Sequence, residues 1–287
     1  MDKLLSLEEI AEAIPSGSTV AIGGSSLSRK PMALVRALVR AGVRDLSLVV
    51  DVGGPEVDLL IAAGAVRELR YAFVGFEFLG LAPHFRKARQ SGTVKFQEWT
   101  EYTVMAGLDA TVKRIPFLPT HAGLATDVLS VNPAFKRIDD PFGGGPLIAV
   151  PAIAPDFALI HVNYADRAGN GVILGDTHVD ALCAKAARTT FMSCEQIVTT
   201  ETLKGLGQGV QILRIYTQGV AEIPWGAHPT EASPHYRADL DALGAYLAAS
   251  ASPEAWSDYH QRLISVDHAS YIDRHGGAQA LQELLSV

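Results

Sequence analysis

The chain has 287 residues, of which 48% are hydrophobic and only 19% charged, where an average soluble protein has about 25% charged residues. Its mean hydropathy is positive, at +0.17. Composition this apolar excludes a disordered chain. A transmembrane protein is also excluded, because no apolar run approaches the roughly 18–20 residues that a membrane-spanning helix needs. The net charge of −7 argues against binding to nucleic acid, which requires a basic surface.

The cysteine content and the N-terminus predict where the protein works. Cys183 and Cys194 are the only cysteines, and two are too few for a disulfide framework. The N-terminus, Met1-Asp2-Lys3, leads into an acidic helix and lacks the basic and apolar regions of a signal peptide. We therefore expect a cytoplasmic protein.

The first half of the chain alternates helix and strand patterns. A capping box, Ser6 to Glu9, opens a first helix. The elements that follow are strand 18–22, glycine pair Gly23-Gly24, helix 31–40, strand 46–50, glycine pair Gly53-Gly54, helix 55–63 and strand 68–74. This order is typical of βαβ units with a parallel sheet. Sites in such sheets lie beyond the carboxyl ends of the strands, where both glycine pairs fall.

The second half continues with less regular patterns. Helices are predicted at 82–91, 100–114 and 180–187, strands at 147–150, 157–163, 189–194 and 220–223, a turn at 166–171 and an irregular loop at 120–146. Residues 235–287 have a helical pattern. The sequence predicts a single α/β domain over residues 1–287, with an open, mostly parallel sheet flanked by helices and a helical tail at 235–287.

The sharpest local feature is the segment that follows the first strand, Gly23-Gly24-Ser25-Ser26-Leu27-Ser28-Arg29-Lys30-Pro31. Glycines allow the backbone to approach a ligand, and a helix N-terminus offers free N–H groups. With hydroxyls and two cations added, the segment suits an anionic or carbonyl-bearing ligand. It is neither a dinucleotide fingerprint nor a P-loop. An ordinary tight turn with a solvated Arg29-Lys30 pair is the alternative.

Two glutamates flank a tryptophan at the start of a predicted helix. Glu98 and Glu101 lie on either side of Trp99. The helix dipole favours a carboxylate there, which is explanation enough for such a pair. A carboxylate that points into a pocket would instead act as a general base or nucleophile.

Metal and hydrolase motifs are weaker. Asp176, His178 and Asp180 alternate, and alternation on an extended strand would place them on one side. No other His or Cys cluster supports them, so we expect no bound metal. His161 lies in an apolar strand and is interpreted as a satisfied core residue. No G-x-S-x-G element of a serine hydrolase is present.

Five segments taken together resemble the α (A) subunit of two-subunit, family I CoA transferases. They are the turn Gly23–Pro31, the helix end Arg114–Pro119, and the segments Ile138–Phe142, Ser193–Ile197 and Pro224–Pro229. Their order and spacing match the family from residue 1 to about residue 230.

The resemblance implies the open α/β sheet shared by CoA transferases and sugar-phosphate isomerases. It also implies a β (B) subunit, an active site between the two subunits and an assembly of α2β2 or higher. The substrate would be a coenzyme A thioester, with no permanently bound cofactor. In the transferases a glutamate of the β chain carries the acyl group and then CoA as a covalent intermediate. This chain would line the pocket with Gly23, Gly24, Ser25, Ser26, Arg29, Gly53 and Gly54.

Glu101 separates two branches of the family. It falls where the steroid-ring-opening CoA-ester hydrolases carry a catalytic glutamate and the glutaconate CoA transferases carry no acid. CoA transfer is the first hypothesis, and C–C hydrolysis of a cyclic keto acyl-CoA with Glu101 as base is the alternative. A shift of three residues would substitute Glu98. A sugar-phosphate-binding module on the same fold is a hypothesis of another class, and an NAD-dependent enzyme is opposed by the missing fingerprint.

Overall fold

The computed structural model describes residues 2–285, which form two sheets and a set of surrounding helices. The helices are α1 Leu7–Glu12, α2 Met32–Arg40, α3 Pro55–Ala62, α4 Pro83–Ser91, α5 Glu101–Val112, α6 Val128–Val131, α7 Asp180–Ala186, α8 Thr200–Gly205, α9 Leu240–Ala249, α10 Pro253–Tyr259, α11 His268–Arg274 and α12 Gly277–Leu281. The strands are β1 Thr19–Ile22, β2 Leu46–Gly53, β3 Val66–Val74, β4 Lys95–Glu98, β5 Phe117–Thr120, β6 Lys136–Asp139, β7 Pro146–Pro151, β8 Phe157–Ala165, β9 Gly171–Val172, β10 Thr189–Ile197 and β11 Thr217–Glu222.

The main sheet has the order β11-β10-β8-β1-β2-β3-β4, and β9 pairs with β8 as a hairpin. All pairs along this order are parallel, and only β8–β9 is antiparallel. This confirms the predicted open, mostly parallel sheet. The strand order reverses between β1 and β8, and ligands of open α/β sheets bind outside the carboxyl ends of the strands at such a reversal.

Each face of the main sheet has its own apolar core. One core packs the sheet against α1 to α4 and the tail helices, including Leu243, Tyr259 and Tyr271. The other core packs it against α5, α7 and β7, including Trp99, Leu108 and Ile148. The two cores follow the alternation of strand side chains: in β2, Val50 belongs to the first core and Val49 to the second.

The predicted loop at 120–146 is the main correction to the sequence analysis. The segment contains α6 and β6, and β6 joins β5 and β7 in a separate three-stranded antiparallel sheet. Both β5 and β6 are four residues long and their residues are half-buried or exposed. Without an apolar alternation, they give no periodic signal in the sequence. The edge strand β4 was missed for the same reason, since Lys95 and Glu98 at its ends are exposed.

The tail is helical, as predicted. Helices α9 to α11 each begin with a side-chain cap, from Asp239, Ser252 and Asp267. A π-helical turn, His260–Ile264, follows α10. No helix within residues 2–285 combines the length and apolarity needed to cross a membrane.

Candidate active site

The turn that follows β1 is braced by two buried ion pairs. Arg29 Nη1 lies 3.2 Å from Asp180 Oδ2, and Lys30 Nζ lies 2.9 Å from Glu56 Oε1. The backbone N–H of Gly24 donates to the other oxygen of Asp180 at 3.0 Å. All four charged side chains are at most 1% exposed. Arg29 and Lys30 are therefore not a solvated pair, and their charges fix the turn from inside.

The two turns that contain the glycine pairs are in direct contact. A Cβ on Gly54 would lie 2.3 Å from the carbonyl oxygen of Ser26, and one on Gly23 would lie 2.2 Å from Asp180 Oδ1. Gly24 has a φ of +70°, which side chains rarely adopt. The N–H of Ser26 donates to the carbonyl of Val52 at 2.9 Å. The turns after β1 and β2 therefore pack closely together. A side chain larger than that of glycine at position 23, 24 or 54 would collide with neighbouring atoms.

Asp51 is a buried acid near the carboxyl end of β2 that the sequence analysis did not select. Its side chain is on the same sheet face as Val49, the face that α5 covers. It is 8% exposed, and its buried Oδ1 has no hydrogen-bond partner in the part of the chain that the structure describes. Burial, with the negative charge of Glu101, raises the pKa of Asp51 to about 7 against the opposing charge of Lys30. An acid in an otherwise apolar strand, Leu46–Gly53, was the available signal.

Glu101 is the first residue of α5 and is exposed. Thr100 caps the helix reciprocally with Thr103. Glu98, the alternative acid, is ion-paired with Arg89 at 2.9 Å. For Glu101, no hydrogen-bond or ion-pair partner is found among residues 2–285. Of the two glutamates, Glu101 is the one whose carboxylate is available and whose charge reaches Asp51.

The residues between α6 and β6 anchor the start of α5. The ring of Trp99 packs edge-on against Phe135 at 4.6 Å between centroids. Asn132 Nδ2 donates to the carbonyl of Glu98 at 2.8 Å. The region that looked irregular in the sequence therefore determines where Glu101 lies.

Three buried polar atoms that have no partner among residues 2–285 are found at or just beyond the carboxyl ends of β1, β2 and β4. They are Ser26 Oγ, Asp51 Oδ1 and Trp99 Nε1. Buried polar atoms are normally hydrogen-bonded, and an exception calls for water or a ligand. This edge of the sheet, with Gly54 and Glu101 beside it, is the candidate active site.

A second polar cluster lies where two of the family-like segments meet. Ser193 Oγ is 2.9 Å from His161 Nδ1, and His161 Nε2 is 2.8 Å from Glu195 Oε1. The order is that of a serine, histidine and acid triad, but Ser193 and His161 are completely buried. Glu195 also accepts from the Trp225 N–H at 2.7 Å and the Tyr236 hydroxyl at 2.6 Å. Without access for a substrate, this cluster is structural, and His161 is the satisfied core residue that its strand predicts.

The alternation of Asp176, His178 and Asp180 does not lie on a strand. Asp180 is the first residue of α7 and is paired with Arg29. Asp176 is exposed, and His178 has a φ of +41°. His178 Nδ1 lies 3.7 Å from Asp176 Oδ2, whereas the carboxylate of Asp180 is held by Arg29 instead of joining them.

Comparison with known proteins gives consistent results. A family model described as Coenzyme A transferase matches residues 5–217. The chain is 38% identical over 280 residues to the cholesterol ring-cleaving hydrolase IpdA subunit of Rhodococcus jostii (strain RHA1), covering 94% of each chain. Two solved structures are similar over most of the chain. Glutaconate coenzyme A-transferase from Acidaminococcus fermentans matches with a TM-score of 0.94 and 26% identity over 99% of this chain and 96% of that one. A variant of the decarboxylase AibA/AibB matches with a TM-score of 0.83 and 29% identity over 91% and 98%.

Proposed function

This chain belongs to the coenzyme A transferase family, and we propose that it is the α subunit of an enzyme that opens a cyclic β-keto acyl-CoA by hydrolysis. The observation that carries the proposal is the available carboxylate of Glu101 beside buried Asp51 at the carboxyl edge of the sheet. The 38% identity to a ring-cleaving hydrolase subunit supports the same chemistry.

In this proposal, Glu101 is the general base. It takes a proton from a water molecule whose oxygen bonds to the ring ketone carbon. The bond from that carbon to the carbon next to the thioester then breaks, and the proton is returned to the electron pair left on the latter. One water is consumed, and a carboxylic acid forms on a ring-opened CoA ester. General acid–base catalysis of this kind typically contributes about 10²–10⁴ in rate.

The glycine-rich surface would accept the thioester. Gly23, Gly24, Gly53 and Gly54 are buried and let the two turns pack closely. Ser25 and Ser26 add hydroxyls, of which Ser26 Oγ has no partner among the described residues. Arg29 would act indirectly, because its guanidinium is held by Asp180. The CoA thioester is then a substrate, and we propose no permanently bound cofactor. Both cysteines are free and buried, which supports a cytoplasmic location.

The α-subunit role requires a β subunit, and the exposed apolar side chains near the site support one. Phe73, Phe78, Leu81 and Tyr102 are 44%, 77%, 63% and 48% exposed. They belong to the end of β3, the segment that follows it and the start of α5. Subunit interfaces are enriched in aromatic residues. We propose that this face meets the β subunit in an α2β2 or larger assembly, which accounts for part of the high apolar content.

The test is activity of the complex reconstituted with its β subunit. The probe is a 2-oxocycloalkane-carboxyl-CoA, with incorporation of ¹⁸O from water into the new carboxylate as readout. We expect Glu101→Gln to lower kcat by about 10²–10⁴ and Glu98→Gln to leave it close to wild type. Equal loss in both variants, activity of the α chain alone, or tight sugar-phosphate binding without any response to acyl-CoA would contradict the proposal.

CoA transfer is the second candidate, favoured by the structural match to glutaconate coenzyme A-transferase over 99% of the chain. In that case a glutamate of the β subunit forms the covalent intermediate, and the carboxylate of Glu101 only borders the pocket. Transfer of CoA to a labelled carboxylic acid, unchanged in Glu101→Gln, would establish it.

A further inference from the structure

A cluster of potential metal ligands lies where the helical tail packs against the rest of the chain. In the sequence, these residues are distant from those of the candidate active site. His228 is in the turn after β11, Asp239 caps α9, and His275 caps the C-terminus of α11. One ligand atom of each lies within 4.8 Å of those of the other two. His228 Nε2 is 2.9 Å from Asp239 Oδ2. We propose that His228, Asp239 and His275 bind a Zn²⁺ ion that fastens the helical tail to the rest of the chain.

The donor set and its spacing suit zinc. Zn²⁺ binds imidazole nitrogen and carboxylate oxygen at about 2.0–2.2 Å, mostly with tetrahedral geometry. Asp239 Oδ1 accepts from the Ala242 N–H at 2.8 Å, which leaves Oδ2 directed at His228. The three ligand atoms lie within 4.8 Å of one another, and in a tetrahedral site they would move closer together around the ion.

The surroundings hold His228 in the orientation of a ligand. Its Nδ1 is 2.8 Å from the hydroxyl of Tyr271. Metal-binding histidines nearly always use their second nitrogen in a hydrogen bond of this kind, which fixes the ring and its tautomer. In this arrangement Nε2 binds the metal and the Nδ1–H donates to the Tyr271 hydroxyl.

A buried nitrogen of His275 provides independent evidence for a bound ligand. Its Nε2 is buried and has no hydrogen-bond partner in the described chain. Its ring lies 4.8 Å from that of His228 and 4.7 Å from that of Tyr271 between centroids. Such an atom is uncommon in a folded protein, and a metal bond would satisfy it.

The types of ligand favour zinc over magnesium or calcium. Mg²⁺ and Ca²⁺ prefer a set made of oxygen atoms, whereas two imidazole nitrogens and one carboxylate oxygen suit Zn²⁺. The cleft beside the cluster is lined by charges of both signs, from Arg262 and Arg274 and from Asp241 and Glu283.

A cleft provides access and a fourth ligand. It has a volume of about 410 Å³ and is lined by Asp239 and His275 together with residues of α9 and the last helices. Water in this cleft would complete a four-coordinate site. Since its ligands come from three separate elements, no spacing in the sequence indicates the site.

The experiment uses the full chain without a histidine tag, stripped with a chelator and titrated with ZnCl2 and then CoCl2. We expect one zinc per chain by elemental analysis, a rise in Tm and the visible spectrum of four-coordinate cobalt. His275→Gln should weaken zinc binding by about tenfold or more and lose the rise in Tm. His235→Gln is the matched control, because His235 Nε2 is also buried and unpartnered in the described chain but is not part of the cluster.

Two outcomes would overturn the proposal. One is a wild-type chain whose Tm does not change with zinc and whose cobalt spectrum is that of free hexaaquo ion. The other is an equal response of His275→Gln and His235→Gln. Neither outcome depends on catalytic activity, so the zinc proposal and the proposed function fail separately.

Discussion

Asp51 and Glu195 both lie on the main sheet with largely buried side chains. Their surroundings shift their pKa values in opposite directions. Glu195 accepts hydrogen bonds from His161, Tyr236 and the backbone N–H groups of Trp225 and Gly226. Burial pushes the pKa of Glu195 up, but these hydrogen bonds together lower it. Asp51 has an oxygen with no partner in the described chain, and its pKa is raised to about 7.

This difference distinguishes a carboxylate with a structural role from one that is typical of a functional site. A buried charge with several donors is stabilised as an ion, whereas one without them is driven towards its neutral form. Carboxyls of the second kind are concentrated at functional sites. Burial alone would have ranked the two residues equally. The hydrogen bonds that Glu195 accepts indicate a structural role, and the unpartnered oxygen of Asp51 in the described chain supports a role at the proposed site.

The largest effect is expected from Glu195→Gln. The variant removes the charge and turns an amide N–H towards groups that are themselves donors. We expect the free energy of unfolding to fall by roughly 3–5 kcal/mol, measured by urea denaturation. The pKa of Glu195 is lowered in the folded chain, so its contribution is present above the unfolded pKa of about 4.5 and declines as the pH falls. Exposed Glu201 supplies the control, and equal losses in Glu195→Gln and Glu201→Gln would break the comparison.

Gly54→Ala should have an intermediate effect on the active-site side. The new Cβ would lie 2.3 Å from the carbonyl oxygen of Ser26, so the two turns must separate. We expect a loss of about 1–3 kcal/mol by urea denaturation, together with a higher KM of the reconstituted enzyme. Gly205→Ala meets nothing within 4 Å and should change neither. A Gly54→Ala variant with wild-type KM would show that the contact between the turns does not shape the site.

Asp51→Asn should have the smallest effect on stability and a particular dependence on pH. The pKa of Asp51 is raised from 3.8 to about 7, so its contribution is fully present below pH 3.8 and is lost as the pH rises through about 7. In the Asn variant, the fall in the free energy of unfolding across this pH range should be smaller by roughly 1–2 kcal/mol. This value is already reduced for screening by solvent. Unfolding midpoints on both sides of this window measure it.

Asp58 is the matched control for Asp51. Its pKa is also raised to about 7 by burial, but it accepts from the Phe85 N–H at 2.7 Å and the Tyr246 hydroxyl at 2.8 Å, inside the core. Asp58→Asn should change the pH dependence of stability alone, whereas Asp51→Asn should also shift the pH–rate profile. Identical pH–rate profiles in the two variants would remove Asp51 from the site.

Local signals predicted the fold well. The capping box at Ser6 forms as expected, and the glycine pairs end β1 and β2 where the βα rhythm places them. These features depend on residues close together in the chain. The short strand β6 pairs with β7, to which residues 140–145 connect it, but its half-buried or exposed residues give no periodic signal.

The candidate site could be predicted from the sequence only in part. Gly23 and Gly54 follow predicted strands, and Glu101 is indicated by the resemblance to the family. The pairing of Arg29 with Asp180, and the missing partner of Asp51 Oδ1 within the described chain, are contacts or absences in space. No spacing in the sequence encodes them.

The reversal of strand order between β1 and β8 has a consequence for how the chain folds. Strands β1 to β4 can assemble from successive local βαβ units, and so can β8, β10 and β11. The seam between them joins Val20 to Phe157, a closure across a long loop that costs more entropy than any local pairing. The residues of the candidate site belong to the first half of the chain, but Asp180 from the other side of this seam fixes its turn through Arg29 and the Gly24 N–H. The turn should therefore reach its final geometry only when the seam has closed.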